Sequence, residues 1–302
     1  MTTTTAGRRR ALGRIRSGAR EHGTSGEQRS RGASILLWIG VLATIVFCLF
    51  PFYWIINTSL KTGAELSTGR LFPAHPSLAN YSSIFKNSDF TTALRTSLID
   101  AGFATLISLV IGSFAAYALA RLRFPRKFLI LAIVLSISTF PPIAIAAPVF
   151  KIWTDIGLYN TYIGLILPFL TFVLPLTIYI LVSFFREIPK ELEEAALVDG
   201  ATHFEAFRKV VLPLAAPGLV TAGLLAFIFA WNEFLLSITL TSTAARRPVS
   251  AAIAFFPGST QFQSPIGTID AALVTIPLPL IVLVVIFQKR IVAGRTAGAV
   301  KG

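Results

Sequence analysis

Acidic residues are scarce in this chain. Its 302 residues carry 14 Asp and Glu against 27 Lys and Arg, and only 14% of positions are charged. So little charge, with 54% hydrophobic residues and a mean hydropathy of +0.72, excludes an ordinary soluble globular composition. Cysteine is nearly absent. Cys48 stands alone inside an apolar run, so no intrachain disulfide can form. The three histidines, His22, His75 and His203, are scattered and offer no metal-ligand spacing; His203 reads as a surface residue. No G-x-x-x-x-G-K-[ST] stretch occurs, which excludes a phosphate loop and ATP hydrolysis by this chain. No nucleophile stands with a recognisable general base.

What the chain has in quantity is apolar sequence in runs of about 18 residues or more, the signature of membrane-spanning helices. Six spans are expected, at 33–59, 96–120, 128–150, 161–185, 214–237 and 267–288. The fold class is therefore an all-α membrane protein with six transmembrane helices. Its positive charge is unevenly distributed. The N-terminal tail, the "RLRFPRK" link, the segment after span four and the C-terminus together hold 20 of the 27 basic residues. The excess of Lys and Arg on cytoplasmic segments then places both termini in the cytoplasm, with the segment after span four.

Residues 1–32 are rich in Thr, Gly and Arg, with eight arginines between Arg8 and Arg31. They read as a disordered basic tail beside anionic lipid headgroups. No aromatic residue interleaves with the arginines, so nucleic acid is not an expected partner. A cleaved signal peptide is not expected either, because the following apolar run is too long and lacks a small-residue cleavage site.

The spans do not read as inert anchors. Ala104, Ser108, Gly112, Ala116 and Ala120 recur every four residues along span two, a stripe that lets another helix approach closely. Prolines punctuate three others: Pro141, Pro142 and Pro148, then Pro168 and Pro175, then Pro277 and Pro279. Each removes a backbone donor and crowds the preceding turn, which membranes tolerate where the helix is buried in protein or lines a cavity. Phe52, Tyr53 and Trp54 after Pro51 read as an interfacial aromatic belt. An ion-driven transporter would need ionisable residues within the spans; only Glu233 and Asp270 come close by this reading. A passive scaffold is the other alternative, and the kinked, polar-marked spans argue against it.

One compact charged segment lies between spans four and five. Pro189 suits a helix start, and Leu192, Ala195, Ala196 and Asp199 follow on one face. Gly200 is the natural stop, since glycine accepts the left-handed geometry of a helix end. Thr202 and Glu205 form a capping-box pattern that starts a second short helix, with Phe204, Phe207 and Val211 in one stripe. Pro213 and Pro217 lead into span five. The segment is an elbow, and a partner that moves an elbow drags the spans attached to it.

"EAALVDGATHFEAFRKVVLPLAAP" resembles the EAA loop of ABC importer permeases, with Glu194-Ala195-Ala196, Gly200 and Leu212-Pro213 at the family's spacing. The resemblance runs from about Trp38 to Gly302. "NY" at 80–81, "AAYALARLRFP" at 115–125, "FAWNEFLL" at 229–236 and the ending "GRTAGAVKG" resemble the carbohydrate-uptake branch, similar to the smaller maltose permease subunits. "PLAAPGLVTAG" and "IFQKRIVAG" resemble the actinobacterial trehalose importers. Two features depart from the pattern: the long Arg-rich start, and Thr96-Ser97 where the family usually has Asn-Ser.

The resemblance implies a type I ABC importer permease domain over 33–302, with a coupling loop at 188–213 and a C-terminal tail at 289–302 that reaches the ATPase subunits. It implies a multi-pass subunit of a bacterial plasma membrane. The subunit would pair with a second permease chain, be driven by two ATPase subunits that bind the ATP and Mg, and be loaded by an extracytoplasmic sugar-binding lipoprotein. The chain itself needs no cofactor and is not an enzyme. Glu194, Ala195, Ala196, Asp199, Gly200, Phe204, Phe207, Leu212 and Pro213 are the expected coupling residues. Trp231, Asn232 and Glu233 lie 14–16 residues beyond Pro217. That is roughly 21–24 Å along a helix, where a ring, an amide and a carboxylate suit a sugar path. Gly258, Ser259, Thr260 and Gln261, at the tip of the last outer loop, are expected to probe the binding protein.

Overall fold

A computed structural model describes residues 31–256 and 266–296, and side-chain positions from 34 to 288 within them. Residues 1–30, the loop residues Gly258, Ser259, Thr260 and Gln261, and 297–302 lie outside the described residues. Among the described residues every regular element is helical. In order they are α1 (Arg31–Ser59), α2 (Ala79–Lys86), α3 (Ser88–Arg121), α4 (Lys127–Ser138), α5 (Pro142–Asp155) and α6 (Tyr162–Glu187). Then come α7 (Lys190–Val198), α8 (His203–Ala206), a π turn (Phe207–Val211), α9 (Leu212–Leu214), α10 (Ala216–Asn232) and α11 (Leu235–Leu240). The chain closes with α12 (Val249–Ala252), α13 (Ile266–Thr275) and α14 (Leu278–Thr296).

The chain divides at Tyr53. The first unit contributes most of α1, whose apolar stretch Ser34–Ser59 is long enough to cross a membrane. The second unit, from Trp54 onward, is built on α3, α6 and α10. All five members of the small-residue stripe, Ala104 to Ala120, are buried, and α6 is the helix that occupies that face. The approach is closest at Gly112, where an added Cβ would come within 2.8 Å of Thr177 Cγ2. The Thr177 hydroxyl also donates to Ser108 Oγ at 3.3 Å. The opposite face of α3 turns Phe103, Leu106, Val110 and Phe114 outward, as lipid-facing residues would be.

Four helices satisfy the length and hydropathy of a span, and two bent pairs bring the number to six if each pair counts as one crossing. One of the bends corrects an expected continuous span. Span three breaks between α4 and α5 by 82°, because Pro141 and Pro142 cannot donate to the turn before them. The 75° bend at Ala215 lies where the elbow is expected to lead into span five, and the helix of that span, α10, ends at Asn232, short of the expected 237. By contrast α6 runs unbroken through Pro168 and Pro175. The candidate span Ile266–Gln288 coincides with the expected 267–288, and α14 continues as helix beyond it to Thr296.

Two apolar clusters fill the second unit. One gathers Phe90, Phe169, Phe172, Trp231 and Leu236; the other gathers Tyr117, Leu181, Phe185, Phe207 and Val211 at the elbow end. The loop after α1 is pinned by Asn80, whose side-chain amide donates to the carbonyls of Ser59 and Lys61, both at 2.8 Å. Tyr81 reaches Ser59 Oγ at 2.7 Å. The Asn-Tyr pair thus organises the turn between α1 and α2.

Candidate functional site

The elbow is assembled by local rules first. After α7, Ala201 N–H reaches back to Ala196 O at 3.0 Å and Gly200 N–H to Leu197 O at 3.1 Å, the paired bonds of a Schellman stop. That stop needs Gly200 at a φ of +89°. Two residues on, Thr202 and Glu205 close a capping box. The Thr202 backbone N–H, then the Lys209 ammonium and the Thr202 hydroxyl, hold the Glu205 carboxyl down to about 2. The π turn follows because Pro213 has no N–H for the Lys209 carbonyl and its ring crowds that position. The turn widens, and Leu212 N–H bonds Phe207 O instead.

Tertiary contacts then fix each arm. On the first arm the anchor is Glu193, the residue before the expected Glu194. Glu193 is buried, accepts a hydrogen bond from the Tyr117 hydroxyl, and lies 3.3 Å from Arg121 Nε. The Arg121 contact is an ion pair without good hydrogen-bond direction at Nε. Its Nη2 donates to Ile188 O at 2.7 Å, so Arg121 holds both the entry to α7 and its first turn. On the second arm Phe207 is 4% exposed among Phe114, Tyr117 and Phe185, with ring centroids at 5.4, 4.8 and 6.3 Å.

The remaining expected coupling residues lie differently. Glu194, Ala195, Asp199, Gly200 and Pro213 are exposed, and Ala196 and Leu212 are half-buried. Phe204 stacks on Phe114 at 6.4 Å yet keeps 56% of its surface exposed. Leu192 and Val198 are exposed as well, Val198 to 87%. The outward surface of the elbow therefore carries apolar side chains between carboxylates.

The expected path residues do not share one face. Trp231 is 2% exposed and stacks on Phe227 at 5.6 Å. The Glu233 carboxylate accepts from the Leu236 and Ser237 backbone N–H groups, both at 3.0 Å, and so caps α11. Asn232 is the exposed one of the three; its amide nitrogen donates to Ile228 O at 2.8 Å.

Asp100 is a residue that sequence reasoning passed over. It lies inside α3, is 1% exposed, and has no hydrogen-bond partner on either carboxylate oxygen. A lone acid four residues after Thr96 in an apolar helix was the available signal. The ionisable side chains within the spans thus include Asp100 as well as Glu233 and Asp270.

Known proteins share this architecture. Residues 108–296 match the model of the family "Binding-protein-dependent transport system inner membrane component". The trehalose transport system permease protein SugB of Mycobacterium tuberculosis is 50% identical over 90% of this chain and 100% of its own length. The sulfoquinovosyl glycerol transport system permease protein SmoH of Agrobacterium fabrum is 43% identical over 88% of this chain and 94% of its own. Among solved structures, a bacterial ABC transporter involved in the import of the acidic polysaccharide alginate superposes with a TM-score of 0.72. The aligned chains are 25% identical and cover 86% of this chain and 98% of the other. The fold is that of a type I ABC importer permease. The chain belongs to the binding-protein-dependent transport system inner membrane components, which are translocation subunits rather than enzymes.

Proposed function

We propose that this chain is a pore-forming permease subunit of an ATP-driven sugar importer, and that its sugar is trehalose. The observation that carries the transport reading is the elbow. Its inward side is fixed by Glu193 and Phe207, and its outward side offers Leu192, Val198 and Phe204 beside Glu194 and Asp199. Exposed apolar side chains on a polar loop suit a docking surface for an ATPase subunit. In this reading six crossings put both termini and the elbow in the cytoplasm, in keeping with the bias of Lys and Arg. A second permease chain completes the pore, two ATPases bind the nucleotide, and a sugar-binding protein delivers from outside. Asn232 meets the sugar, while the buried Trp231 and the half-buried Glu233 shape the end of α10 on either side of it.

Trehalose is supported by the identity to the mycobacterial trehalose permease over its full length. A trehalose/maltose permease of Thermococcus litoralis, 38% identical, supports a disaccharide of the same size. Cells deleted for this chain should lose uptake of labelled trehalose and regain it on complementation. A tenfold excess of unlabelled trehalose should abolish that uptake; an equal excess of maltose or raffinose should leave most of it. Unchanged trehalose uptake in the deletion strain would overturn the assignment of the sugar.

A further inference from the structure

Both arms of the elbow converge on one residue of α3. The Tyr117 hydroxyl donates to Glu193 on α7, and the Tyr117 ring packs against Phe207 of the π turn at 4.8 Å. One helical turn further, Arg121 pairs with the same Glu193 and bonds Ile188 at the head of α7. The pair is dry, with side-chain exposures of 4% for Arg121 and 10% for Glu193. A buried ion pair resists partial opening, because separating it leaves an uncompensated charge away from water. Aromatic packing on the other arm adds a second, independent hold.

We infer that Tyr117, Arg121 and Glu193 form a lock that makes α3 and the elbow one rigid body, so that α3 is the span driven directly when the elbow moves. α3 is 34 residues long, about 51 Å at 1.5 Å per residue, and α6 is seated along its small-residue stripe. A displacement at Glu193 is thereby carried through the whole thickness of the bundle. This inference rests on the permease reading, in which the elbow is the part that a partner moves. The three residues are positioning residues; none of them is assigned contact with sugar or nucleotide.

Two measurements test it. In the assembled transporter carrying Cys48→Ser, spin labels at Leu122→Cys and Glu191→Cys report the spacing of α3 and α7. The lock predicts one distance distribution in the nucleotide-free and ATP-bound states, and a broadened one in Tyr117→Phe, which keeps the ring and removes only the hydroxyl. A shift of more than roughly 5 Å between the two states, about one helical turn, would overturn it. The second readout is sugar moved per ATP hydrolysed, counted per assembled complex. Tyr117→Phe and Glu193→Gln should each lower that ratio at least about fivefold, the scale of an ordinary coupling between sites. A smaller yield of complex with the ratio intact would mean that these residues serve only folding, and the inference fails. Absence of ATP-driven uptake with the unsubstituted chain would strike the permease reading instead, and the label distances would still judge the lock.

Discussion

At the scale of the residue, Gly200 and Glu193 show two kinds of necessity. Gly200 is required by its backbone alone: an added Cβ would meet nothing within 4 Å, yet φ is +89°. Its replacement therefore strains the turn without a clash, at about 1–2 kcal/mol for a left-handed L-residue. Uptake should fall in the order Asn, Ala, Val, with Gly200→Val the most impaired and Gly200→Asn the least, since Asn tolerates this region best. Membrane insertion, read by immunoblot of the membrane fraction, should hold throughout. Equal uptake by all three variants would show that the turn needs no left-handed residue. Glu193 is required by its partners, and that need is invisible locally. Two adjacent glutamates present the same chemistry, and only the rotation of α7 against Tyr117, 76 residues earlier, decides which one is buried. The capping box of Thr202 and Glu205 and the stop at Gly200 were legible because they are short-range chemistry. The choice of Glu193 over Glu194 was not. Asp100 was overlooked for a related reason: a single acid barely changes the hydropathy of a long apolar window, and its cost appears only once packing has buried it.

At the scale of the element, the stripe along α3 was readable because a spacing of four residues maps onto one helix face, and α6 occupies that face. The break in span three was not readable as a break. Proline announces a disturbance, yet the same residue type bends the chain by 82° before α5 and leaves α6 unbroken through Pro168 and Pro175. Before α5 two consecutive prolines remove two donors together, whereas α6 meets each of its prolines singly. The joint of α10 with α6 supplies a direct test of close approach. An added Cβ at Gly218 would lie 2.4 Å from Phe184 Cγ, at the base of that side chain where rotation gives little relief. Gly218→Ala should cost about 1–3 kcal/mol by overpacking. Gly102, on the open side of α3, has nothing within 4 Å of an added Cβ. Gly102→Ala should gain about 0.5–1 kcal/mol from helix propensity. Thermal unfolding of the two variants in detergent should move in opposite directions. Equal shifts would remove the argument that α6 and α10 meet through Gly218.

At the scale of the whole molecule, the chain has the fold of a translocation subunit, and in the proposed function its partner subunits bind and hydrolyse the ATP. In the proposed function the elbow is where an outside motor acts, and the α3–α6–α10 core is what it moves. In that function the driving force is external and nucleotide-dependent, and Asp100, Glu233 and Asp270 are structural groups, not carriers of a coupling ion. The most direct measurement is uptake into proteoliposomes that contain the purified complex of this chain with its co-purifying subunits, supplied with loaded binding protein. Trehalose should accumulate only when ATP and Mg reach the elbow side, and collapsing proton and sodium gradients should change nothing. Accumulation driven by an ion gradient without ATP would contradict the proposed function.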